Sequence, residues 1–305
     1  MTIWTPELWI LLSFAAAGFQ TLRFMLQKVL SVRQLTPIGA TFARFVYSAP
    51  IVVCALMVYL FLTGQTVALP STAFWAYAAT GGIAQIVATV FVVTLFKSRN
   101  FAVGVTLMKT EVLLSVLVGL LFLGEGVGGI AFAAILLGLA GVLLLSRSPE
   151  TVHWQWSELA NRSVGLGLGS GLLFAVSAVS YRGASLEVLS QDAIVRAGFT
   201  LAVVTSMQMI GMAIWLRVRD AAQLGAVWEA RRTAVWIGLL SLAGSFCWFL
   251  AFSLQVAAYV KAVGQVELIF SLIVSVLVFG ERSTARELAG MAILSLSILT
   301  LVVTQ

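Results

Sequence analysis

TLMKTEVLLSVLVGLLFLGE at residues 106–125 and AVGQVELIFSLIVSVLVFGE at residues 262–281 are two versions of one pattern. In each, a glutamate (Glu111 or Glu267) opens an apolar run that closes fourteen residues later on Gly-Glu, at Glu125 and Glu281. A second match lies upstream. Residues 27–31 read QKVLS and residues 186–190 read LEVLS, a register that sets Arg23 on Arg182. Arg44 and Arg196, both early in the second apolar run of their half, pair more loosely. Matched segments in the same order, with polar residues aligned inside apolar runs, predict an internal repeat.

The rest of the chain has the composition that such a repeat needs. Of 305 residues 61% are hydrophobic and 10% charged, against about 45–50% and 25% in soluble domains. Apolar runs long enough for the roughly 20 helical residues that cross a hydrocarbon core recur from end to end. The short alternating segments of a membrane β-barrel are absent from the sequence. The predicted spans are 8–27, 37–62, 72–95, 101–122, 127–146, 164–186, 193–216, 233–254, 258–279 and 286–303. The expected fold is all-α transmembrane, ten helices arranged as two five-helix repeats, 1–148 and 164–305, joined by a loop at 149–163. Five is odd, so the second repeat enters the membrane inverted. Inverted repeats are a recurring transporter architecture with the site between the halves. Pro50 falls inside the second span and predicts a kink.

Charge sets the orientation. Twelve Lys and Arg residues fall in connections 1–2, 3–4, 5–6, 7–8 and 9–10: Lys28, Arg33, Lys97, Arg99, Arg147, Arg162, Arg217, Arg219, Arg231, Arg232, Arg282 and Arg286. The opposite set counts only Lys261, beside Glu7, Glu125, Glu187 and Asp192. The positive-inside rule then places both termini outside, periplasmic for a multi-pass bacterial inner-membrane protein. The arginines of 217–232 fit a short amphipathic helix on anionic lipid. The net charge of +6 is explained by this bias, with no nucleic acid required. Cys54 and Cys247 sit in apolar runs and read as small core residues. His153, beside Trp154 and Trp156, reads as part of an interfacial anchor. No spacing suggests a metal site, a nucleotide motif or a nucleophile–base pair, so neither cofactor nor enzyme is expected.

The two halves, with a glutamate, a long apolar stretch and a terminal Gly-Glu in the fourth helix of each, resemble the drug/metabolite transporter superfamily, and within it the EamA-like family. The resemblance spans essentially the whole chain. In that family the midspan glutamate is often followed by proline, where this chain has Val112 and Leu268. The family's tryptophan in the first helix is replaced here by the Ala17-Gly18-Phe19 region. Lys109 is out of register with the phosphate-binding lysine of sugar-phosphate members. The resemblance implies movement of small metabolites, amino acids among them, through a central cavity lined by helices other than the fifth and tenth.

Charged residues inside spans, at about 2.5–3.5 kcal/mol each on insertion scales, are functional candidates by default. Lys109 and Glu111 point about 200° apart on a regular helix. Glu111 continues at steps of four to Ser115 and Gly119, and Glu267 to Ser271 and Ser275, faces suited to a cavity wall or a close helix contact. Each glutamate either couples substrate or protons, or is pinned by a neighbour and fixes packing. Lys109 either neutralises a substrate anion or pairs with a buried glutamate. Gln265 takes the Lys109 position in the second repeat, and with Gln85, Gln20, Tyr181 and Trp248 it completes the substrate-binding candidates. Arg23 with Arg44, and Arg182 with Arg196, form two candidate gates, one toward each side, the alternative being snorkelling to headgroups. Gly138 and Gly141 suit a helix or dimer contact.

The expected function is a secondary transporter, most simply an exporter, that moves a small polar or amphipathic metabolite of amino-acid-like kind by alternating access. A proton or a counter-substrate would be the coupling species, and the protein would work as a monomer or homodimer in the bilayer. The alternatives are a lipid or lipid-linked-sugar flippase and, at longer odds, an intramembrane enzyme.

Overall fold

The computed structural model describes residues 7–33, 35–95, 108–146, 162–270, 273 and 285–303. Their regular structure is helical throughout: α1 (Leu8–Arg33), α2 (Pro37–Thr63), α3 (Thr72–Leu95), α4 (Glu111–Leu123), α5 (Gly129–Ser146), α6 (Arg162–Leu186), α7 (Ala193–Arg219), α8 (Ala222–Glu229), α9 (Arg231–Leu254), α10 (Ala257–Gly264) and α11 (Ala285–Val303). Six of these, α1, α2, α3, α6, α7 and α9, are long and apolar enough to cross a membrane. Apolar side chains such as Phe61, Leu121 and Leu299 face outward, as a lipid-facing surface requires.

The expected count of ten is corrected to eleven described helices. The addition is α8, in the segment read as an amphipathic connection. It buries Val227, accepts a bond on that residue's carbonyl from Tyr47 Oη at 3.4 Å, and exposes Trp228 beneath the Arg231 guanidinium. The first helix also runs six residues beyond its predicted end, to Arg33. Ser271, Ser275, Glu281, the 151–161 loop with His153, and the basic residues Lys97, Arg99, Arg147 and Arg282 lie outside the described residues.

Local chemistry fixes the ends. Thr36 caps α2 by accepting from the Gly39 amide at 3.1 Å, with Pro37 at the first helical position. Asp192 caps α7 by accepting from Ile194 N–H at 2.8 Å. Burial opposes the charge on Asp192, but hydrogen bonds from Tyr59, Gln65 and the Ile194 and Val195 amides outweigh it and hold its pKa below the usual carboxylate range. Gly124 ends α4 at φ 66°, the left-handed conformation that glycine adopts without penalty. The Glu125 amide then donates to Gly119 O at 3.2 Å.

Helix α3 packs along α6, α1 along α9, and α5 along α11, while α2 contacts both α7 and α9. The α5–α11 contact explains Gly141. A Cβ there would lie 2.9 Å from Gly290 O and Leu294 N, so the two backbones touch. Gly138 and Gly141 therefore make an intrachain contact.

Two interruptions position the chemistry. The chain turns at Lys109–Thr110 before α4 and at Gln265–Val266 after α10, so Glu111 and Glu267 each begin a new helical stretch. Neither break carries a proline. Each puts a carboxylate in a first helical turn, where exposed N–H groups and the helix dipole favour negative charge.

Candidate functional site

Side chains of α1, α2, α3, α6, α9 and α10 line a narrow cavity. Its wall is Gln20, Arg23, Arg44, Gln85, Phe174, Ser177, Ala178, Tyr181, Ser245, Trp248, Phe249, Phe252 and Lys261. Among the described residues none from α5 or α11 lines it. Four of the eight predicted binding residues meet here: Gln20, Gln85, Tyr181 and Trp248. So do Arg23 and Arg44, which had been read as one gate.

The polar residues are fixed by one another. Tyr181 Oη donates to Gln85 Oε1 at 2.7 Å. Gln208, on α7, donates to Gln85 Oε1 and to Tyr181 Oη at 3.2 Å each, and to Gly82 O at 3.0 Å. On the other side, Trp248 Nε1 donates to Gln20 Oε1 at 3.3 Å and Gln20 Nε2 to Glu267 Oε2 at 2.7 Å. Tyr181 and Phe249 pack with centroids 4.4 Å apart, and Trp248 stacks on Phe252 at 5.8 Å. The wall combines five aromatic side chains with seven other polar or charged ones, more polar than the mostly apolar lining usual in small-molecule sites.

Arg44 bridges α2 to α9. Its Nε donates to Ser241 Oγ at 2.7 Å and its Nη2 to Ser245 Oγ at 3.0 Å, while Nη1 is buried with no hydrogen-bond partner among the described residues. Arg23 donates through Nη1 to Gln27 Oε1 at 2.7 Å and lies 4.2 Å over the Phe24 ring.

The remaining charges form two crossed pairs. Lys109 pairs with Glu267, and Lys261 with Glu111 at 3.4 Å. Each lysine of one half thus neutralises the glutamate of the other. Lys261 also faces the Trp248 ring at 4.9 Å, within cation–π range. Lys261 had been counted among the external connections; it is instead buried in α10. Its sequence signal was available, a lone lysine between Tyr259-Val260 and Ala262-Val263, four residues before Gln265. Lys109 and Gln265 line a different, smaller space among α4, α5, α10 and α11, with Val112, Gly138 and Ser297. They do not reach the main cavity. Ser241, Ser245, Phe174 and Gln208 were missed because serines, aromatics and an isolated glutamine in apolar helices carry no distinguishing pattern.

Arg182 and Arg196 converge on the C-terminal end of α9. Arg182 pairs with Glu125 at 2.6 Å and donates to Phe252 O and Gln255 O at 2.7 Å each. Arg196 donates to Ser253 O and Ser190 O at 3.2 Å. Cations at carbonyls of a helix C-terminus are stabilised by the dipole as well as by the bonds. The Gly-Glu ending of α4 has its physical reason here, since Gly124 turns the chain so that Glu125 meets Arg182.

Among the described residues no group of three or more His, Cys, Asp and Glu side chains could hold a metal ion. No curated protein sequence matches this one. A solved crystal structure superposes with a TM-score of 0.70 over 97% of this chain and 96% of its own, at 16% identity, which shows a shared fold. Residues 7–147 match the EamA-like transporter family, a family of membrane transporters rather than enzymes. By these residues the segment 7–147 is identified with the EamA-like transporter family, within the drug/metabolite transporter superfamily.

Proposed function

We propose that this protein is a secondary transporter in which the cavity between α1, α2, α3, α6, α9 and α10 holds a small metabolite, and that it works by alternating access. The observation that carries this reading is the convergence of hydrogen-bonding and aromatic side chains from six helices on one cavity. In this reading residues 1–148 and 164–305 are inverted five-helix repeats giving ten spans. Supporting it, the packing is reciprocal: α1 on α9 answers α3 on α6, and α5 meets α11. The two helix breaks, each followed by a buried glutamate, support it again.

The Arg182–Glu125 pair and its bonds to the end of α9 act as one gate, on the external side if the basic connections are cytoplasmic. Arg23 and Arg44 serve the cavity. Lys109–Glu267 and Lys261–Glu111 hold the halves in this state, and alternation requires these pairs to part or move together. Export from the cytoplasm of a bacterium, coupled to a proton or a counter-substrate, is the direction and energy source that we assign.

The test is untargeted mass spectrometry of medium, cytosol and lipid extract from cells expressing wild type or Ala178→Trp, which fills the cavity, at matched membrane levels. A soluble metabolite enriched outside with wild type alone supports export. Depletion from the medium with wild type alone keeps the transporter and reverses the direction. A change confined to lipids favours a flippase, and identical profiles refute transport through this cavity.

A further inference from the structure

Arg23 and Arg44 are 3% and 4% exposed. Among the described residues the ion pairs are Lys109–Glu267, Arg182–Glu125 and Lys261–Glu111, so neither Arg23 nor Arg44 faces a carboxylate there. Both line the main cavity. A buried unpaired charge is strongly unfavourable. The cavity wall also carries Lys261, whose charge Glu111 balances from behind, and it carries no acidic side chain. Two positive charges thus face the cavity with no carboxylate partner among the described residues. The buried Nη1 of Arg44, without a partner, is a donor waiting for an acceptor.

Resting on the transporter reading above, we infer that the cavity takes an organic carboxylate with an apolar or aromatic body and no amino group, its head between Arg23 and Arg44. The body lies against Trp248, Phe249 and Phe252. Arg44 keeps two of its five N–H donors on Ser241 and Ser245, which leaves its Nη1 to meet a carboxylate oxygen. An ammonium group in the same space meets three cations and only neutral acceptors. Gln20 Oε1 and Gln85 Oε1 already accept from Trp248, Tyr181 and Gln208. Exclusion of amino acids is therefore a consequence of the wall, and it narrows the amino-acid-like expectation drawn from the family.

A matched trio tests this: 3-phenylpropionate, phenylalanine and phenethylamine share one skeleton and differ in head group. Binding to purified protein is read from tryptophan fluorescence and from thermal stabilisation, with hexanoate and phenyl phosphate completing the series. The expected order is 3-phenylpropionate and hexanoate first, phenylalanine at least about tenfold weaker, a factor equivalent to one charge-assisted hydrogen bond, and phenethylamine absent. Arg44→Gln abolishes the preference and Arg44→Lys restores part of it. The wild-type order alone decides the matter if the variants fail to fold. Phenylalanine or phenethylamine binding as tightly as 3-phenylpropionate overturns the inference, as does a series in which no carboxylate binds, and phenyl phosphate binding tightest replaces the carboxylate with a phosphate ester. The cellular metabolite profile fails or succeeds independently, so loss of this inference leaves transport standing.

Discussion

The crossed ion pairs make a quantitative demand. Lys109 and Glu267 have side chains only 2% and 10% exposed, so solvent screens them little. Removing one partner of a buried pair leaves an uncompensated charge and costs about 3–5 kcal/mol, whereas replacing both with uncharged groups is often nearly neutral. Lys109→Met and Glu267→Gln should each therefore destabilise by that amount, and the double variant by far less than their sum. At roughly 2–4 °C per kcal/mol, the scale for chains of 150–250 residues, each single variant should lose about 6–20 °C in apparent Tm. The double variant should recover most of that loss. The assay is thermal unfolding followed by tryptophan fluorescence in one detergent at one scan rate, since irreversible unfolding makes Tm depend on rate. The cycle isolates the pair term. A coupling below about 0.5 kcal/mol, the range seen for independent sites, would refute the pairing and with it the account of how the halves are held.

Three further outcomes follow from other contacts. Gly141→Ala drives a methyl into Gly290 O and Leu294 N and should lose about 1–3 kcal/mol of stability; Gly165→Ala, with open space around it, should lose none, and equal effects would discredit the α5–α11 contact. Arg182→Ala frees the end of α9, so Phe252→Cys in a Cys54→Ser, Cys247→Ser background should react faster with an impermeant maleimide from that side; an unchanged rate in every state removes the gate. Asp192 has a lowered folded pKa, so its contribution is complete above the ordinary carboxylate value of about 3.9 and disappears as pH falls through the folded pKa. The stability gap between wild type and Asp192→Asn should be constant from pH 8 to 5 and close below about pH 4, and a gap that widens on acidification contradicts the bonding from Tyr59 and Gln65.

The helical membrane fold was legible because burial in lipid leaves a coarse signature. An apolar run of the required length reads the same wherever its partners are, and Thr36-Pro37, Asp192 and Gly124 mark ends by local chemistry. The helix breaks were not legible. Lys109-Thr110 and Gln265-Val266 contain neither glycine nor proline. That interruption also removes the basis for setting Lys109 and Glu111 200° apart, since a constant 100° step assumes an unbroken helix. Four of the binding candidates, Gln20, Gln85, Tyr181 and Trp248, line one cavity, because polar or amphipathic side chains inside apolar helices turn away from lipid. Lys261 was misplaced because loop counting by charge assigns a lysine near a span end to water. Partner choice was beyond spacing altogether: Glu111 meets Lys261 and Glu267 meets Lys109, 150 and 158 positions away in the sequence, and periodicity gives a face without saying what the face touches.

The crossed pairs and the two unpaired arginines answer each other. Four charges on α4, α10 and their breaks cancel within the protein, so they add no net field to the cavity. Had Lys109 and Lys261 been free, the cavity and its surroundings would carry four positive charges; had Glu111 and Glu267 been free, the arginines would be neutralised and no anion needed. Only the cancelled arrangement leaves Arg23 and Arg44 as the net charge that a substrate meets. Apolar residues could replace the pairs with little loss of stability. They could not couple the first helical turns after the two breaks by charge, nor respond when the halves move. In the proposed reading the charges held at the breaks and the charges left in the wall have separate tasks, one in holding the state and one in choosing the substrate. A variant that neutralises a crossed pair completely should alter the balance of states while keeping anion preference, and Arg44→Gln should do the reverse.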